Sequence, residues 1–112
     1  MPNDNFYHLP RWICKHTFIL RRDKYLCQES LRYGKKIEAT IVHHIFPRDE
    51  YPEYEWCDWN LISLSQSKHN EMHDRTTNKL TAKGLELLER TRRKYCKEIE
   101  TISKQFSVSP HP

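Results

Sequence analysis

Residues 41–47 read Ile-Val-His-His-Ile-Phe-Pro and place two adjacent histidines in a run of β-branched and aromatic residues. From Glu38 to Phe46 this composition predicts a strand, which Pro47 closes. Neighbouring side chains of a regular strand point to opposite faces, so His43 and His44 cannot both face one point. A bend at Phe46–Pro47 would let both rings face the same point, with one imidazole on a metal ion and the other free.

A second histidine pair lies further along the chain. His69 and His73 are four residues apart, a spacing that puts both imidazoles on one face of a helix, and Ser67 is placed to cap that helix. Taken separately, each pair also fits an ordinary strand end or helix surface. Taken together, one strand histidine and two helical histidines predict a three-nitrogen metal site with open positions for water and substrate.

The segments around the two pairs predict further elements of an α+β domain. A first helix is expected from about Leu9 to Arg22, with Pro10 in its first turn, followed by a polar connection up to Gly34. Residues 47–59 are expected to form an ordered loop held by its aromatic side chains. A short second strand, or a turn, is expected over Asn60–Leu64.

Thr81 is predicted to cap a last helix that runs to about Gln105. Its apolar residues follow mixed three- and four-residue spacing: Leu85, Leu88, Tyr95, Ile99, Ile102 and Phe106. This face is expected to pack on the domain's own core, and the alternative is a helix that binds a second copy or another protein. A single domain is therefore predicted over residues 1–106, with residues 107–112 a disordered tail.

Composition limits the class of protein. Of the 112 residues, 37% are hydrophobic and 30% are charged, and 19 Lys and Arg against 15 Asp and Glu give a formal charge of +4. This modest positive balance favours an anionic partner such as nucleic acid. The two glycines form no phosphate-binding motif, and no apolar run is long enough to span a membrane.

The four cysteines, Cys14, Cys27, Cys57 and Cys96, form no C-x-x-C pair, and no signal peptide precedes them. They are expected to be reduced in a cytoplasmic protein, and two disulfides in a secreted protein are the alternative.

The order of these residues resembles that of the HNH endonucleases, a family with a ββα-metal core. The likeness rests on residues 41–47, on Asn60-Leu61 and on His69-Asn70, and it extends over about residues 6–85. It implies a metal-dependent DNA endonuclease of a phage, a mobile element or a bacterium. The implied fold is a small ββα-metal core flanked by an N-terminal helix and a long C-terminal helix.

The resemblance also implies a role for each residue of the motif. His44 corresponds to the general base, and Asn60 to the central asparagine that braces the loop between the two strands. His43 and His69 correspond to metal ligands, and His73 to an extra ligand found in the bacteriocin-type nucleases of the family. The ion would be one divalent metal (Mg²⁺, Mn²⁺, Ni²⁺ or Zn²⁺), and the products would carry 5′-phosphate and 3′-hydroxyl ends.

Three basic residues flank the motif closely enough to touch the DNA backbone: Arg48, Lys68 and Arg75. They would bind phosphates with little sequence preference, or they are solvated surface charges. The alternative function is a non-catalytic, zinc-stabilised DNA-binding or adaptor module, but such a closed site has no use for His44. Phage relatives act beside the DNA-packaging terminase, so the resemblance also allows a protein partner for the last helix.

Many members of the family hold a structural zinc with two C-x-x-C pairs. In this sequence Cys27 stands at one of those positions, and Ser30, Ser65 and Lys68 stand at the other three. One thiolate cannot hold the ion, so no structural zinc is predicted. The aromatic loop and the terminal helix are expected to supply the missing stability.

Overall fold

The structure is a computed structural model in which residues 5–107 are described. The regular elements, in chain order, are helix α1 (Pro10–Arg22), helix α2 (Gln28–Arg32), strand β1 (Ile41–His44), strand β2 (Leu61–Leu64), helix α3 (Gln66–Asn70), helix α4 (Ala82–Lys94) and helix α5 (Cys96–Ser107). Short 3-10 turns cover Phe6–His8, Pro52–Tyr54 and Asp58–Asn60. Within residues 5–107 no helix has the length and apolar character needed to cross a membrane.

Strands β1 and β2 form a two-stranded sheet. The amide of Thr40 donates to the carbonyl of Leu64 at 3.2 Å, and the amide of Ile45 donates to the carbonyl of Asn60 at 2.9 Å. Pairing therefore runs in opposite directions along the two strands, which makes them antiparallel. With α3 directly after β2, the predicted α+β class and its ββα core are confirmed.

The first strand is shorter than the sequence predicted. Glu38 makes only an isolated antiparallel bridge with Leu26, so the region before Ile41 does not join β1. The predicted second strand is present, and Asn60 belongs to the 3-10 turn immediately before it.

The described chain divides into two compact units. One extends to His43 and also contains Ile62–His69, and the other contains His44–Leu61 and the chain from Asn70 onward.

Aromatic contacts anchor the first helix within its unit. The rings of Phe6 and Trp12 are both buried, with centroids 5.2 Å apart. The helix predicted from Leu9 to Arg22 is confirmed, and it begins at Pro10, whose fixed φ and missing N–H suit a first turn.

The polar connection after α1 contains a short helix, α2, that the sequence did not predict. The side-chain amide of Gln28 donates to the carbonyls of Asp23 at 3.2 Å and Leu26 at 2.8 Å, which fixes the entry to this helix. Gly34 ends the following turn, as predicted, with a φ of 79° that glycine adopts without strain.

A cluster of aromatic rings forms the core of the second unit. Phe46 is fully buried and makes edge-to-face contacts with Tyr51, Tyr54 and Trp59, at centroid distances of 5.0, 5.3 and 5.8 Å. Such contacts add to the apolar area that the rings bury. The prediction that aromatic side chains order the loop over residues 47–59 is therefore confirmed.

The helix predicted from Thr81 to Gln105 is instead two helices, α4 and α5, separated at Tyr95. The hydroxyl of Thr91 donates to the carbonyl of Leu87 at 2.8 Å, a side-chain bond that favours bending of a helix. The Tyr95 ring stacks on Trp59 with centroids 5.9 Å apart. The break therefore coincides with a contact to the aromatic loop.

The start of α4 is as predicted, since Thr81 Oγ1 accepts from the amide of Gly84 at 3.2 Å. Leu88 and Ile99 are buried, as expected for a core-facing side, whereas Leu85 is 50% exposed and was wrongly assigned to it. Helix α5 contacts the aromatic loop through the Ser103 hydroxyl, which lies 3.5 Å from Tyr54 Oη. Beyond Ser107, the tail predicted to be disordered lies outside the described residues.

Candidate functional site

Three histidines come together in the structure. His43, His69 and His73 each offer one ring nitrogen, and these nitrogens lie within 4.8 Å of one another. Imidazole nitrogens bind one zinc ion at about 2.0–2.1 Å, so two of them on the same ion lie at most about 4.2 Å apart. A small inward movement of the rings is therefore enough for all three to reach one ion. Within residues 5–107, these three histidines form the group of histidine, cysteine or acidic side chains that lie close enough together to hold a metal ion. His44 is not part of it.

The structure positions His43 and His69 through the sheet and the helix after it. His43 lies in β1 and is 2% exposed, whereas His69 lies in α3 and is partly exposed. Their ring centroids are 5.3 Å apart. Among the described residues, His43 Nε2 and His73 Nδ1 are buried ring nitrogens that make no hydrogen bond, although other atoms of both residues have contacts.

His73 reaches the group by a different route from the one predicted. Helix α3 ends at Asn70, so His69 and His73 do not share a helix face, and His73 instead forms an isolated bridge with Leu80. The prediction of Ser67 as the helix cap is also wrong, because Ser65 Oγ accepts from the amide of Lys68 at 3.2 Å.

Side-chain and backbone contacts after α3 explain why the helix stops. Asp74 Oδ1 accepts from the amides of Thr76 at 2.8 Å and Thr77 at 3.0 Å, which closes a turn directly after His73. Short polar side chains of this kind compete with a helix for backbone hydrogen bonds. The turn reverses the chain, and Asp74 N donates to the carbonyl of Lys79 at 2.7 Å.

Thr81 and Gly84 hold this turn against the start of α4. The Thr81 hydroxyl donates to the carbonyl of Glu71, and its amide donates to the carbonyl of Met72 at 2.9 Å. A Cβ at position 84 would lie 2.4 Å from the Met72 carbonyl oxygen, so only glycine fits there without displacement. The residue before His73 is therefore fixed from two sides.

His44 is buried at the end of β1, and its Nε2 lies 3.1 Å from the backbone carbonyl of Glu55. A carbonyl oxygen can only accept, so Nε2 must carry the proton of this hydrogen bond. In the neutral ring, Nδ1 is then the nitrogen that carries a lone pair and no proton. This arrangement suits a proton acceptor.

Asn60 is fully buried and ties together the two ends of the loop between the strands. Its Oδ1 accepts from the amide of Phe46 at 2.7 Å, and its Nδ2 donates to the carbonyls of Phe46 and Tyr54, each at 3.2 Å. Glu55, whose carbonyl accepts from His44, directly follows Tyr54 in the chain.

The three basic residues assigned to DNA have different surroundings. Arg48 Nε lies 3.1 Å from Glu55 Oε1 in an ion pair, and Lys68 Nζ lies 6.0 Å from the centroid of the Tyr33 ring. Arg75 is exposed in the turn after His73. Their assignment to substrate stays a prediction.

Sequence reasoning missed the part played by Glu55. Its carboxylate contacts Arg48 and its carbonyl accepts from His44, and a backbone carbonyl leaves no trace in residue type.

Hydrogen bonds connect Cys27, Ser30, Ser65 and Lys68, the positions that the family resemblance assigns to zinc-binding cysteines. Cys27 is fully buried, and the Ser30 hydroxyl donates to its sulfur at 3.3 Å. Burial raises the pKa of the Cys27 thiol, but hydrogen bonds from Ser30 and Ser65 outweigh it and leave that pKa below its ordinary value. Ser65 also accepts from the amide of Lys68.

No protein-family model and no curated protein matches this chain. Among solved structures, it is similar to the crystal structure of the HNH endonuclease of the deep-sea thermophilic bacteriophage GVE2 with manganese ion. The two sequences are 38% identical, the TM-score is 0.57, and the match covers 58% of this chain and 71% of the phage protein.

Proposed function

Because the chain belongs to the HNH endonuclease family, we propose that it is a metal-dependent DNA nuclease in which His44 is the general base. The observation that carries the proposal is the group of three histidine nitrogens together with His44, the residue directly after His43, whose Nε2 donates to a backbone carbonyl. The three can bind a metal ion, and the fourth can accept a proton.

His43, His69 and His73 would hold one divalent ion. When bound, such an ion offsets the negative charge of the phosphate and stabilises the departing oxygen as a Lewis acid. The phage relative was solved with manganese. Three imidazole donors favour Zn²⁺ or Ni²⁺ over Mg²⁺, which prefers oxygen ligands, so the identity of the ion is open to direct measurement.

His44 would act at the attacking water. The water oxygen forms a bond to phosphorus, its proton moves to Nδ1 of His44, and the bond from phosphorus to the leaving oxygen breaks. The leaving oxygen then takes a proton from solvent water. The Glu55 carbonyl still accepts from Nε2 after this transfer, and it stabilises the imidazolium that forms. The products would carry 5′-phosphate and 3′-hydroxyl ends.

DNA is the proposed substrate, and the exposed Arg75 and the partly exposed Lys68 are the proposed contacts to its backbone. Phosphate contacts of this kind give affinity with little sequence preference and a steep dependence on salt. A cytoplasmic location belongs to the same proposal, since no disulfide joins the four cysteines, all of which lie in the described part of the chain.

A purely structural zinc module is less well supported. Structural zinc sites close all four ligand positions with protein groups, whereas the group formed by the described residues has three members. The buried His44 is also left without a purpose in such a module.

The test is cleavage of supercoiled plasmid by metal-stripped protein, to which Mg²⁺, Mn²⁺, Ni²⁺ or Zn²⁺ is added in turn. We expect metal-dependent nicking that His44→Ala lowers by about 10²–10⁴-fold, the usual contribution of a general base. His8→Ala, at an exposed histidine of the first 3-10 turn, is the matched control and should cleave like the wild type. Full cleavage by His44→Ala would remove the base assignment, and tight metal binding without cleavage by any ion would remove the nuclease.

A further inference from the structure

The carbonyl that accepts from His44 belongs to a residue whose side chain is itself held by an ion pair. We infer that Arg48 and Glu55 are a positioning pair for His44, an inference that rests on the proposed function of that histidine. Their ion pair holds the Glu55 carbonyl against Nε2 and so selects the tautomer in which Nδ1 accepts the proton.

The contacts form a closed path within one unit of the protein. Glu55 Oε1 lies 3.1 Å from Arg48 Nε, and the carbonyl oxygen of the same Glu55 lies 3.1 Å from His44 Nε2. Arg48 follows His44 by only four residues. The pair therefore joins the start of the loop after β1 to the later part of the same loop, which supplies the carbonyl.

The pair is shielded enough to act as more than a surface contact. The side chains of Arg48 and Glu55 are 22% and 25% exposed, whereas fully exposed pairs contribute little to stability because water and salt screen them. A guanidinium also keeps its charge at every pH at which the protein is folded.

Glu55 needs support because it lies in irregular backbone. It follows the 3-10 turn Pro52–Tyr54, and its amide donates to the carbonyl of Pro52 at 3.2 Å. Asn60 fixes the preceding carbonyl, that of Tyr54. The Arg48 contact holds the side chain of Glu55 as well, so the residue is held both through the peptide group that precedes it and through its side chain.

The orientation of the carbonyl has a chemical consequence. If it moved away, neutral His44 could carry its proton on Nδ1, and the ring would lose the lone pair that accepts from water. Loss of the pair should therefore lower kcat and leave KM unchanged. A phosphate-binding arginine would behave differently, because its loss raises KM and reduces the dependence of KM on salt.

The variants that test the pair are Arg48→Met and Glu55→Gln, with Arg48→Lys as the conservative replacement. The double variant Arg48→Glu with Glu55→Arg restores an ion pair of reversed polarity. We expect the two single changes to lower kcat on plasmid by about 10–100-fold, as for other groups that orient a functional histidine. Arg48→Lys and the reversed pair should recover most of that loss, with KM and its salt dependence unchanged throughout.

A measurement that needs no activity is the ¹⁵N spectrum of the His44 ring at a pH at which the imidazole is neutral. The wild type should show a protonated Nε2 and an unprotonated Nδ1, and Arg48→Met should show a mixture of both tautomers. An unchanged tautomer in Arg48→Met, or a change confined to KM and its salt dependence, would overturn the inference.

The spectrum does not depend on cleavage. If the protein cut no DNA, the proposed function would fail, and the spectrum would still decide the role of the pair. If Arg48→Met unfolds, the same spectrum of the reversed pair decides it: retention of the wild-type tautomer supports the inference, and a mixture of tautomers overturns it.

Discussion

The side-chain amide of Asn60 forms two hydrogen bonds with the backbone of Phe46, fourteen residues earlier in the chain. Phe46 N donates to Oδ1 at 2.7 Å, and Nδ2 donates to the Phe46 carbonyl at 3.2 Å. A third bond, from Nδ2 to the Tyr54 carbonyl, uses the remaining donor. One buried amide thus satisfies three backbone groups of a loop that has no regular structure over most of its length.

Replacement of Asn60 by Asp should unfold this loop. A carboxylate keeps the acceptor for Phe46 N but cannot donate to the two carbonyls, and it brings a negative charge into a fully buried position. A buried polar group left unsatisfied costs about 1–3 kcal/mol, and a charged one costs more. We expect at least this loss in the free energy of unfolding, measured by urea denaturation.

The matched control is Asn5→Asp, since Asn5 is exposed and its side chain makes no capping bond to the first 3-10 turn. A surface change of this kind should stay within about 0.5 kcal/mol. If Asn60→Asp were as stable as Asn5→Asp, the three bonds would not hold the loop.

Metal binding should raise the thermal stability of the stripped protein. An ion that binds the native state alone stabilises it by about 2.7 kcal/mol at a free concentration 100 times its Kd. His43→Ala, His69→Ala and His73→Ala should each lose most of the increase in Tm, and His8→Ala should keep it. The result for His73 matters most, because an undiminished increase in His73→Ala would reduce the ligand set to two histidines.

Gly84→Ala should weaken metal binding from a distance. Alanine normally stabilises a helix relative to glycine by about 1 kcal/mol, but here its Cβ would lie 2.4 Å from the Met72 carbonyl. The turn must shift, and His73 follows Met72 directly. We expect a lower Tm and a higher Kd for Zn²⁺ by calorimetry.

Gly34→Ala is the control, because it introduces backbone strain without displacing the turn at Met72. Gly34 has a φ of 79°, but no atom lies within 4 Å of a Cβ there, and αL backbone costs other residues about 1–2 kcal/mol. Its Tm should fall with no change in the Kd for Zn²⁺. Equal metal affinity in the two variants would show that Gly84 has no special link to His73.

His16 should make stability depend on pH. Burial lowers its pKa below the ordinary value of 6.5, so the unfolded chain binds a proton more readily than the native protein. Its contribution is therefore complete above pH 6.5 and is lost as the pH falls through 6.5 toward the lower native pKa. Urea denaturation from pH 8 to pH 5 should show the wild type losing stability relative to His16→Gln, and parallel curves would contradict this.

Local patterns predicted the elements whose causes are local. The β-branched run before Pro47 predicted β1, and Pro10 and Thr81 predicted the starts of two helices. Three of the four histidines in the two pairs, His43, His69 and His73, are the ones that the structure brings together.

The failures arise where distant contacts or competing side chains decide the conformation. Asp74 closes a turn that ends α3 early, so His73 reaches the group from a turn rather than a helix. Tyr95 interrupts the last helix where it stacks on Trp59. The Glu55 carbonyl could not be foreseen, because every residue has a carbonyl and only the fold brings this one to His44.

The contacts that the chain makes from Tyr95 onward bear on how far the protein can be shortened. A polypeptide ending at Lys94 would retain every residue assigned to chemistry, yet it would lack the ring that stacks on Trp59 and the hydroxyl of Ser103 near Tyr54. Both contacts fall on the aromatic loop from which the Glu55 carbonyl emerges. Anyone who trims this protein for fusion to a second domain should therefore keep α5 in the fragment, well beyond the last histidine of the motif.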